Sequence, residues 1–345
     1  MLLSRIGRLA GIALMLASMG CAVAVPPSVL PSATPIPPSP TPIAESATAM
    51  PEGPTSMPES VLPTPSDPPP TQVLPSPTPT PPLAARVNGQ PIYLADYERE
   101  LARYASTLAA QDVDPDTPAG QEKLDQARDG ILEVMIEQLL IEQSAAEAGV
   151  EVTDAEVEDY MRDMVAEAGG EESFRDKLEA WGETYEGARL QVRAQLLGMA
   201  MTQRIVSAVP ESAEQVRARH ILVETPEEAR NIHDQLAVGA DFAALVESHS
   251  QDPSTRDFGG DLGFFPRGVL LAADVEEAAF ALQPGQFSDV VASSFGYHIV
   301  QVVERDPDRP ISFANLQLLR ERAVQRWIED LWAQAEVERF VEESP

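Results

Sequence analysis

The chain has 345 residues, enough for two domains, and a formal net charge of −31 at pH 7. Nucleic acids and anionic membrane surfaces repel a protein of this charge, so neither is expected as a partner. The single cysteine excludes an intramolecular disulfide.

Residues 1–21 have the pattern of an export signal. Two arginines precede an apolar run, residues 9–19, that is too short to cross a membrane stably. Residues 18–21, which overlap the end of this run, resemble a bacterial lipoprotein cleavage site that ends at Cys21, although Ser18 stands where leucine is usual. We therefore expect lipidation of Cys21 and an extracytoplasmic lipoprotein that is anchored to the cell membrane by its lipid only. The alternative is a signal peptide cleaved near a cysteine by chance, which would give a secreted protein.

Residues 22–84 are rich in proline, serine and threonine and are predicted to be a disordered linker. Repeated Pro-Ser-Pro and Pro-Thr-Pro units favour extended polyproline II and cannot pack a core. At about 3.1 Å per residue, such a tract reaches on the order of 150 Å when fully extended. We interpret it as a stalk that holds the globular part away from a membrane, in preference to a ligand for a proline-binding domain.

Residues 85–210 are predicted to be mainly helical, after a short strand and a turn at Asn88-Gly89. Thr153 and Glu156 have the spacing of a capping box. The apolar stripes are typical of an ordinary core, and a groove that holds unfolded chains would show the same pattern. The predicted helices cover residues 94–110, 120–148, 154–168, 173–181 and 185–206.

Residues 310–343 predict one long amphipathic helix, because apolar residues recur every three or four positions. Trp327 and Trp332 are expected to anchor this helix in a core rather than to bind a ligand.

Residues 211–306, called here the histidine module, have two strand-like runs that each contain one histidine. Side chains alternate along a strand, so His220 and Leu222 are predicted on one face and Ile221 and Val223 on the other. The predicted strands are 217–224, 262–265, 287–292 and 297–304, and the predicted helices are 226–239, 241–248 and 274–282.

A histidine in a strand is usually a hydrogen-bonded core residue. Together with Asp252 on the intervening loop, His220 and His298 could instead form a metal site. Their spacing fits no usual zinc pattern, so we expect no metal.

Five motifs in the histidine module resemble, in the same order, the parvulin family of peptidyl-prolyl isomerases. They are R-H-I-L from Arg219, S-x-D ending at Asp252, G-G-D-L-G-x-F from Gly259, A-x-F-x-L-x-x-G from Ala278, and F-G-Y-H-I from Phe295. The V-N-G-x-x-I motif from Val87, followed by a helix, resembles the N-terminal chaperone part of SurA- and PrsA-type exported foldases.

The resemblance implies an α+β architecture with a small, mostly antiparallel four-stranded sheet and helices. This parvulin-like domain, residues 211–306, would be inserted in an all-α chaperone-like domain, residues 85–210. In the resembled family the C-terminal helix, here within residues 307–345, returns to pack on the helical domain.

By resemblance, four polar residues are the expected catalytic groups: His220, Asp252, His298 and Ser293. The expected lining of the proline pocket is Leu262, Phe265, Leu271, Phe295 and, at its edge, Val275. An aromatic residue is usual at the position of Val275, so a looser grip on proline is expected. Glu227 and Glu228 replace the basic cluster of phosphate-directed parvulins, so no preference for phosphoserine is expected.

The leading hypothesis is an extracytoplasmic peptidyl-prolyl cis–trans isomerase that assists the folding of exported, unfolded polypeptides containing Xaa-Pro bonds. Catalysis would be non-covalent and would need no cofactor. The alternative is a holdase chaperone whose parvulin domain is catalytically degenerate, and a third class is a passive wall or adhesion protein displayed on a stalk.

Overall fold

The computed structural model describes residues 81–341, which belong to one unit by their contacts. The predicted export signal, Cys21 and most of the predicted linker lie outside the described residues. Within residues 81–341, no helix combines the length and the apolar character needed to span a membrane.

Five helices follow the first strands, and a threonine side chain caps the start of three of them. They are α1 Leu94–Ala110, α2 Pro118–Ala148, α3 Asp154–Ala168, α4 Glu171–Ala180 and α5 Tyr185–Ser207. The predicted capping box is confirmed: Thr153 Oγ1 accepts from the Glu156 amide at 3.3 Å, and the Glu156 carboxylate accepts from the Thr153 amide at 2.8 Å. Thr117 caps α2 through the amide of Gly120 at 3.2 Å, so α2 starts two residues earlier than predicted.

A small antiparallel sheet joins the two ends of the helical part (residues 85–210 with the C-terminal helix). Its strands are β1 Leu83–Val87, β2 Gln90–Tyr93 and β7 Val337–Arg339, in the order β2-β1-β7. The prediction of a helix to residue 343 is therefore wrong at its end. The helix stops at Gln334, and Asn88 then holds Glu336 through backbone N–H to O at 2.9 Å and side-chain Oδ1 to amide at 2.8 Å. These contacts turn the chain into β7.

The C-terminal helix, α9 Phe313–Gln334, packs against α2. Trp327 Nε1 donates to Ser144 Oγ at 3.4 Å, and Trp332 Nε1 donates to the Glu137 carboxylate at 3.3 Å. Trp332 also packs on the core that β1 shares with α2, where Ile136 is fully buried. Both tryptophans, which are half-buried, thus fix α9 to α2.

The predicted four-stranded sheet of the histidine module is confirmed, and every pair in it is antiparallel. Its strands, in the order β4-β3-β6-β5, are β3 Ser212–Val223, β4 Asp261–Pro266, β5 Val291–Ser293 and β6 Gly296–Pro310. The strands β3 and β6 are longer than predicted because the entering and leaving chains also pair, starting at Ser212 opposite Pro310. The predicted strand over 287–292 is shorter: only Phe287 bridges Gln301 before β5 begins at Val291.

Each face of this sheet is covered by helices, and the predicted alternation is confirmed. Ile221 and Val223 pack under α6 Pro226–Ala237 and α7 Phe242–His249. The opposite face, with Ala218 and Val300, packs under α8 Ala273–Ala281. Because His220 and His298 continue this second face, they reach the edge of its apolar core and are themselves buried, at 7% and 3% exposed.

Candidate active site

The two histidines lie on neighbouring strands and face each other. His298 on β6 is opposite Leu222 on β3, so His220 is its diagonal neighbour. The two Nδ1 atoms are 3.2 Å apart, and the rings are nearly parallel, with an interplanar angle of 20° and centroids 5.4 Å apart. This geometry requires that one Nδ1 donates a hydrogen bond and the other accepts it.

Asp252 meets His220 from the loop that follows α7. That loop is docked on β3 because the Gln251 amide donates to Leu222 O at 2.8 Å. Asp252 Oδ2 is 2.8 Å from His220 Nε2 and accepts from the hydroxyl of Thr255 at 2.6 Å. Oδ1 accepts from the amide and hydroxyl of Ser254 at 2.9 and 2.6 Å.

The charge state of Asp252 follows from these contacts. Burial raises its pKa, but the hydrogen bonds from Ser254, Thr255 and His220 outweigh burial and hold the pKa well below its ordinary range. The carboxylate is therefore ionised at neutral pH and can only accept hydrogen bonds.

Ser293 meets the other end of the histidine pair. It is the last residue of β5, and its Oγ is 2.7 Å from His298 Nε2. The same oxygen accepts from the Phe295 amide at 3.0 Å, which closes the turn between β5 and β6. The serine hydroxyl is thereby fixed on two sides.

These contacts define one direction for the whole hydrogen-bond chain. Ionised Asp252 requires that His220 Nε2 carries a hydrogen, so His220 Nδ1 accepts from His298 Nδ1–H. The free lone pair of His298 Nε2 then accepts from the Ser293 hydroxyl. Burial and the neighbouring His220 lower the pKa of His298 to about 4, against the opposing effect of Asp252. A neutral His298 at pH 7 is what this arrangement needs.

Two contributors to this arrangement were not identified from the sequence. Thr255 Oγ1 bridges Asp252 and His220, at 3.1 Å from the latter's Nε2. Gly260 receives the His220 amide on its carbonyl at 3.0 Å and has φ +80°. A hydroxyl two or three residues after an S-x-D motif and the first glycines of G-G-D-L-G are the signals that could have pointed to them.

The apolar residues expected around proline fall into two groups, those with exposed or half-buried side chains and those buried in the core. Leu271 and Phe295 are 82% and 56% exposed, and Leu262 is half-buried. Phe265 on β4 and Val275 on α8 are 2% and 3% exposed and lie in the core between the sheet and α8. Val275 thus contributes to the core, and its place at the edge of the proline pocket stays a prediction.

Leu270 was not singled out from the sequence, yet it packs on the same core as Leu262 does. Phe295 is the exposed apolar residue that the contacts place beside the histidine pair, because its amide donates to Ser293 Oγ at 3.0 Å. Among residues 81–341, no group of three or more His, Cys, Asp or Glu side chains is arranged to hold a metal ion.

Comparisons with known proteins agree with this geometry. Residues 208–304 match the family profile of the PPIC-type PPIase domain, and residues 76–206 match that of the SurA-like N-terminal domain. A "Foldase protein PrsA" of Geobacillus sp. (strain WCH70) is 32% identical over 151 residues, which cover 44% of this chain and 52% of the relative.

Solved structures are also similar to the chain. The structure of PrsA from Bacillus anthracis is 26% identical with a TM-score of 0.39, over 59% of this chain and 94% of that one. The solution structure of the parvulin of Nitrosopumilus maritimus is 35% identical with a TM-score of 0.25, over 27% of this chain and 98% of that one.

The family follows from a longer match. The "Foldase protein PrsA" of Caldanaerobacter subterraneus subsp. tengcongensis is 32% identical over 238 residues, which cover 64% of this chain and 72% of the relative. A match of this identity and extent, together with a PPIC-type domain that contains the paired histidines, shows that the chain belongs to the PrsA family of foldases.

Proposed function

We propose that the histidine module isomerises Xaa-Pro bonds in unfolded, exported polypeptides, with His220, His298, Asp252 and Ser293 as its polar centre. The observation that carries this proposal is the hydrogen-bond chain from Ser293 to Asp252, which lies beside the exposed residue Phe295. The PPIC-type domain and the foldase family provide the reaction and its setting.

The reaction makes few chemical demands. The planar Xaa-Pro bond is separated from its isomer by a barrier of about 18–20 kcal/mol, and rotation breaks no covalent bond. A site accelerates it by binding the twisted amide better than the planar one. Leu262, Leu270 and Phe295 would hold the proline ring, and the fixed polar groups would stabilise the carbonyl as it swings.

The role proposed for Asp252 is electrostatic. Its two oxygens already accept four hydrogen bonds from Ser254, Thr255 and His220. A carboxylate held in this way is a poor nucleophile, but it fixes the tautomer of His220 and, through His298, the orientation of Ser293. We therefore infer non-covalent catalysis.

The holdase alternative relied on a small residue at the edge of the proline pocket. Val275 is 3% exposed and packs with Ala279 and Phe280 in the core. The size of Val275 therefore affects the packing of the core beneath the proposed pocket more than direct contact with proline. This favours the isomerase over the holdase. Glu227 and Glu228 lie in the first turn of α6, and a phosphoserine before the proline is expected to bring no gain.

The full chain is expected to accelerate cis-to-trans conversion of a short Ala-Pro peptide in a protease-coupled assay. Suppression of aggregation of an unfolded client, measured on the same preparation, separates the two functions. Acceleration supports the isomerase, whereas a folded protein that suppresses aggregation without any acceleration would support the holdase.

The anchor is a separate proposal. We infer that Cys21 is lipidated and holds the protein extracytoplasmically on the cell membrane through residues 22–84. A Cys21→Ser variant is expected to leave the membrane fraction of the producing cells, and its retention there would contradict the proposal.

Acid is expected to inactivate and destabilise the module through His298. Its pKa is about 4 in the folded state and about 6.5 when unfolded, so between these values the unfolded chain binds more protons. The free energy of unfolding is therefore at most about 3 kcal/mol higher above pH 6.5 than at pH 4, and it falls as the pH is lowered between these values. Asp252, whose pKa is also lowered, adds a loss at still lower pH.

Urea denaturation and isomerase rates at pH 7.5, 5.5 and 4.5 test this expectation. Activity should be level near neutral pH and fall towards pH 4, because a protonated Nε2 of His298 cannot accept from Ser293. The variant His298→Gln provides the comparison, since it should lose the part of the pH dependence of stability between pH 6.5 and 4. An unchanged dependence in that variant would show that another group titrates.

A further inference from the structure

The loop Arg267–Ala272, called here the leucine loop, connects β4 to α8 beside the proposed proline pocket. It carries Leu270, which packs on the module core, and Leu271, which is 82% exposed. Val269 and Ala272 also pack on that core, and hydrogen bonds add to this packing in giving the loop a defined conformation. Those bonds come from two different parts of the molecule.

The first partner is Glu276 in the opening turn of α8. Its Oε1 accepts from the Gly268 amide at 2.8 Å, and its Oε2 accepts from the amides of Val269 and Leu270 at 3.1 Å each. Three backbone N–H groups donate to this one carboxylate. Such charge-assisted hydrogen bonds are stronger than neutral ones. Glu276 therefore ties the leucine loop to the module itself.

The second partner is Arg322 on α9, outside the module. Its guanidinium donates to the carbonyl oxygen of Gly268. Leu319, one turn earlier on α9, approaches so closely that a Cβ at Gly268 would be 3.2 Å from its Cδ2, and Gly268 has φ +84°. A glycine at this position thus allows the loop to rest directly on α9.

The helix that supplies Arg322 is fixed elsewhere. Trp327 and Trp332 attach α9 to α2, and β7 after it pairs with β1. The position of Arg322 is therefore set by the helical part, while the loop that it holds belongs to the proposed substrate site.

We propose that Arg322 is a positioning residue of the isomerase site. Together with Glu276 it fixes the leucine loop through Gly268, so contact with α9 holds the loop in the conformation that binds proline. This inference rests on the proposed isomerase function. Without Arg322 the loop keeps its hydrogen bonds to Glu276 but loses its contact with α9. The remaining ordering must then occur when substrate binds, and its cost weakens binding. Rotation of the bound amide is left nearly unchanged, because the histidine pair is held by other contacts.

The test uses the full chain with the substitution Arg322→Gln, which keeps most of the aliphatic stem. Exchange measurements by NMR on an Ala-Pro peptide give KM and kcat separately. We expect KM to rise about 3- to 10-fold with kcat within about 2-fold, as for loss of one charge-assisted hydrogen bond. Arg322→Lys, which retains a cationic donor, should recover part of the KM change.

Arg326→Gln is the matched control, because Arg326 lies one turn further along α9 and donates to the backbone of its own helix at 3.4 Å. Its KM should equal that of the unsubstituted chain. Amide hydrogen exchange at Gly268, Val269 and Leu270 provides a readout that is independent of activity. Exchange there should become faster in Arg322→Gln and remain unchanged in Arg326→Gln.

The outcomes distinguish this inference from the function on which it rests. An unsubstituted chain without isomerase activity would refute the proposed function, while faster exchange at the three amides would still support the positioning contact. An active chain in which Arg322→Gln changes neither KM nor exchange would overturn the inference alone. The same holds if Arg326→Gln raises KM equally, because the effect would then come from α9 in general.

Discussion

Replacing Asp252 with alanine is expected to lower kcat/KM for an Ala-Pro peptide about 10- to 100-fold, equivalent to about 1.4–2.7 kcal/mol, in a chain that stays folded. The carboxylate is ionised and is the one charged group in direct contact with the histidine pair among the described residues. Its removal leaves His220 Nε2 with only the Thr255 hydroxyl as a partner. The tautomer of His220 is then no longer specified.

The loss should spread through the pair because both Nδ1 atoms meet at 3.2 Å. If His220 carries its hydrogen on Nδ1, His298 must turn its own hydrogen to Nε2, where it faces Ser293 at 2.7 Å. The serine hydroxyl then reverses. A mixture of orientations weakens any fixed interaction with the rotating amide, and fixed interactions are what the site contributes.

Two further variants separate charge from shape and from general disturbance of the loop. Asp252→Asn keeps the size and one acceptor, so a loss close to that of alanine would assign the effect to charge. Asp257→Ala removes a carboxylate in the same loop, one whose side chain is 75% exposed and pairs with Arg256, and should leave the rate unchanged. A folded Asp252→Ala variant with full activity would place the site elsewhere.

The sheet of the histidine module could be predicted because two local patterns agree. Alternation placed His220 and Leu222 opposite Ile221 and Val223, and both faces of β3 are indeed covered by helices. The same alternation, read on β6, brings His298 towards His220. Which ring nitrogens meet depends on strand pairing and rotamers, which no single strand's sequence determines.

How deeply a side chain is buried was harder to predict than the order of the strands and helices along the chain. Motif position assigned Phe265 and Val275 to the pocket but did not predict that they are buried, at 2% and 3% exposure. Exposure of a residue depends on which elements pack against each other: Val275 on α8 faces the same core as Phe265 on β4. The end of α9 was mispredicted for a related reason: β7 exists only because β1 offers an edge from the other end of the described chain.

Gly260→Ala is expected to destabilise the protein by about 2–5 kcal/mol, from about 1–3 kcal/mol for overpacking an interior and about 1–2 kcal/mol for alanine in a left-handed conformation. An added Cβ would overlap the backbone carbonyl oxygen of His220 and lie 3.1 Å from Val246 Cγ2. The backbone cannot simply move away, because the Gly260 carbonyl accepts from the His220 amide at 3.0 Å and the Gly260 amide donates to Thr255 O at 2.9 Å. Relief of the overlap therefore separates β3 from the loop that carries Asp252 and Thr255.

Gly263→Ala is the matched control on the same segment. Gly263 has φ +69°, comparable to +80° at Gly260, but nothing lies within 4 Å of its added Cβ. It should cost only about 1–2 kcal/mol, the penalty of a left-handed conformation for alanine. Urea denaturation of both variants measures the difference, and isomerase rates in the folded fraction should fall only for Gly260→Ala. Equal destabilisation by the two substitutions would mean that conformation alone, and not the close approach of Gly260 to His220, explains the glycine.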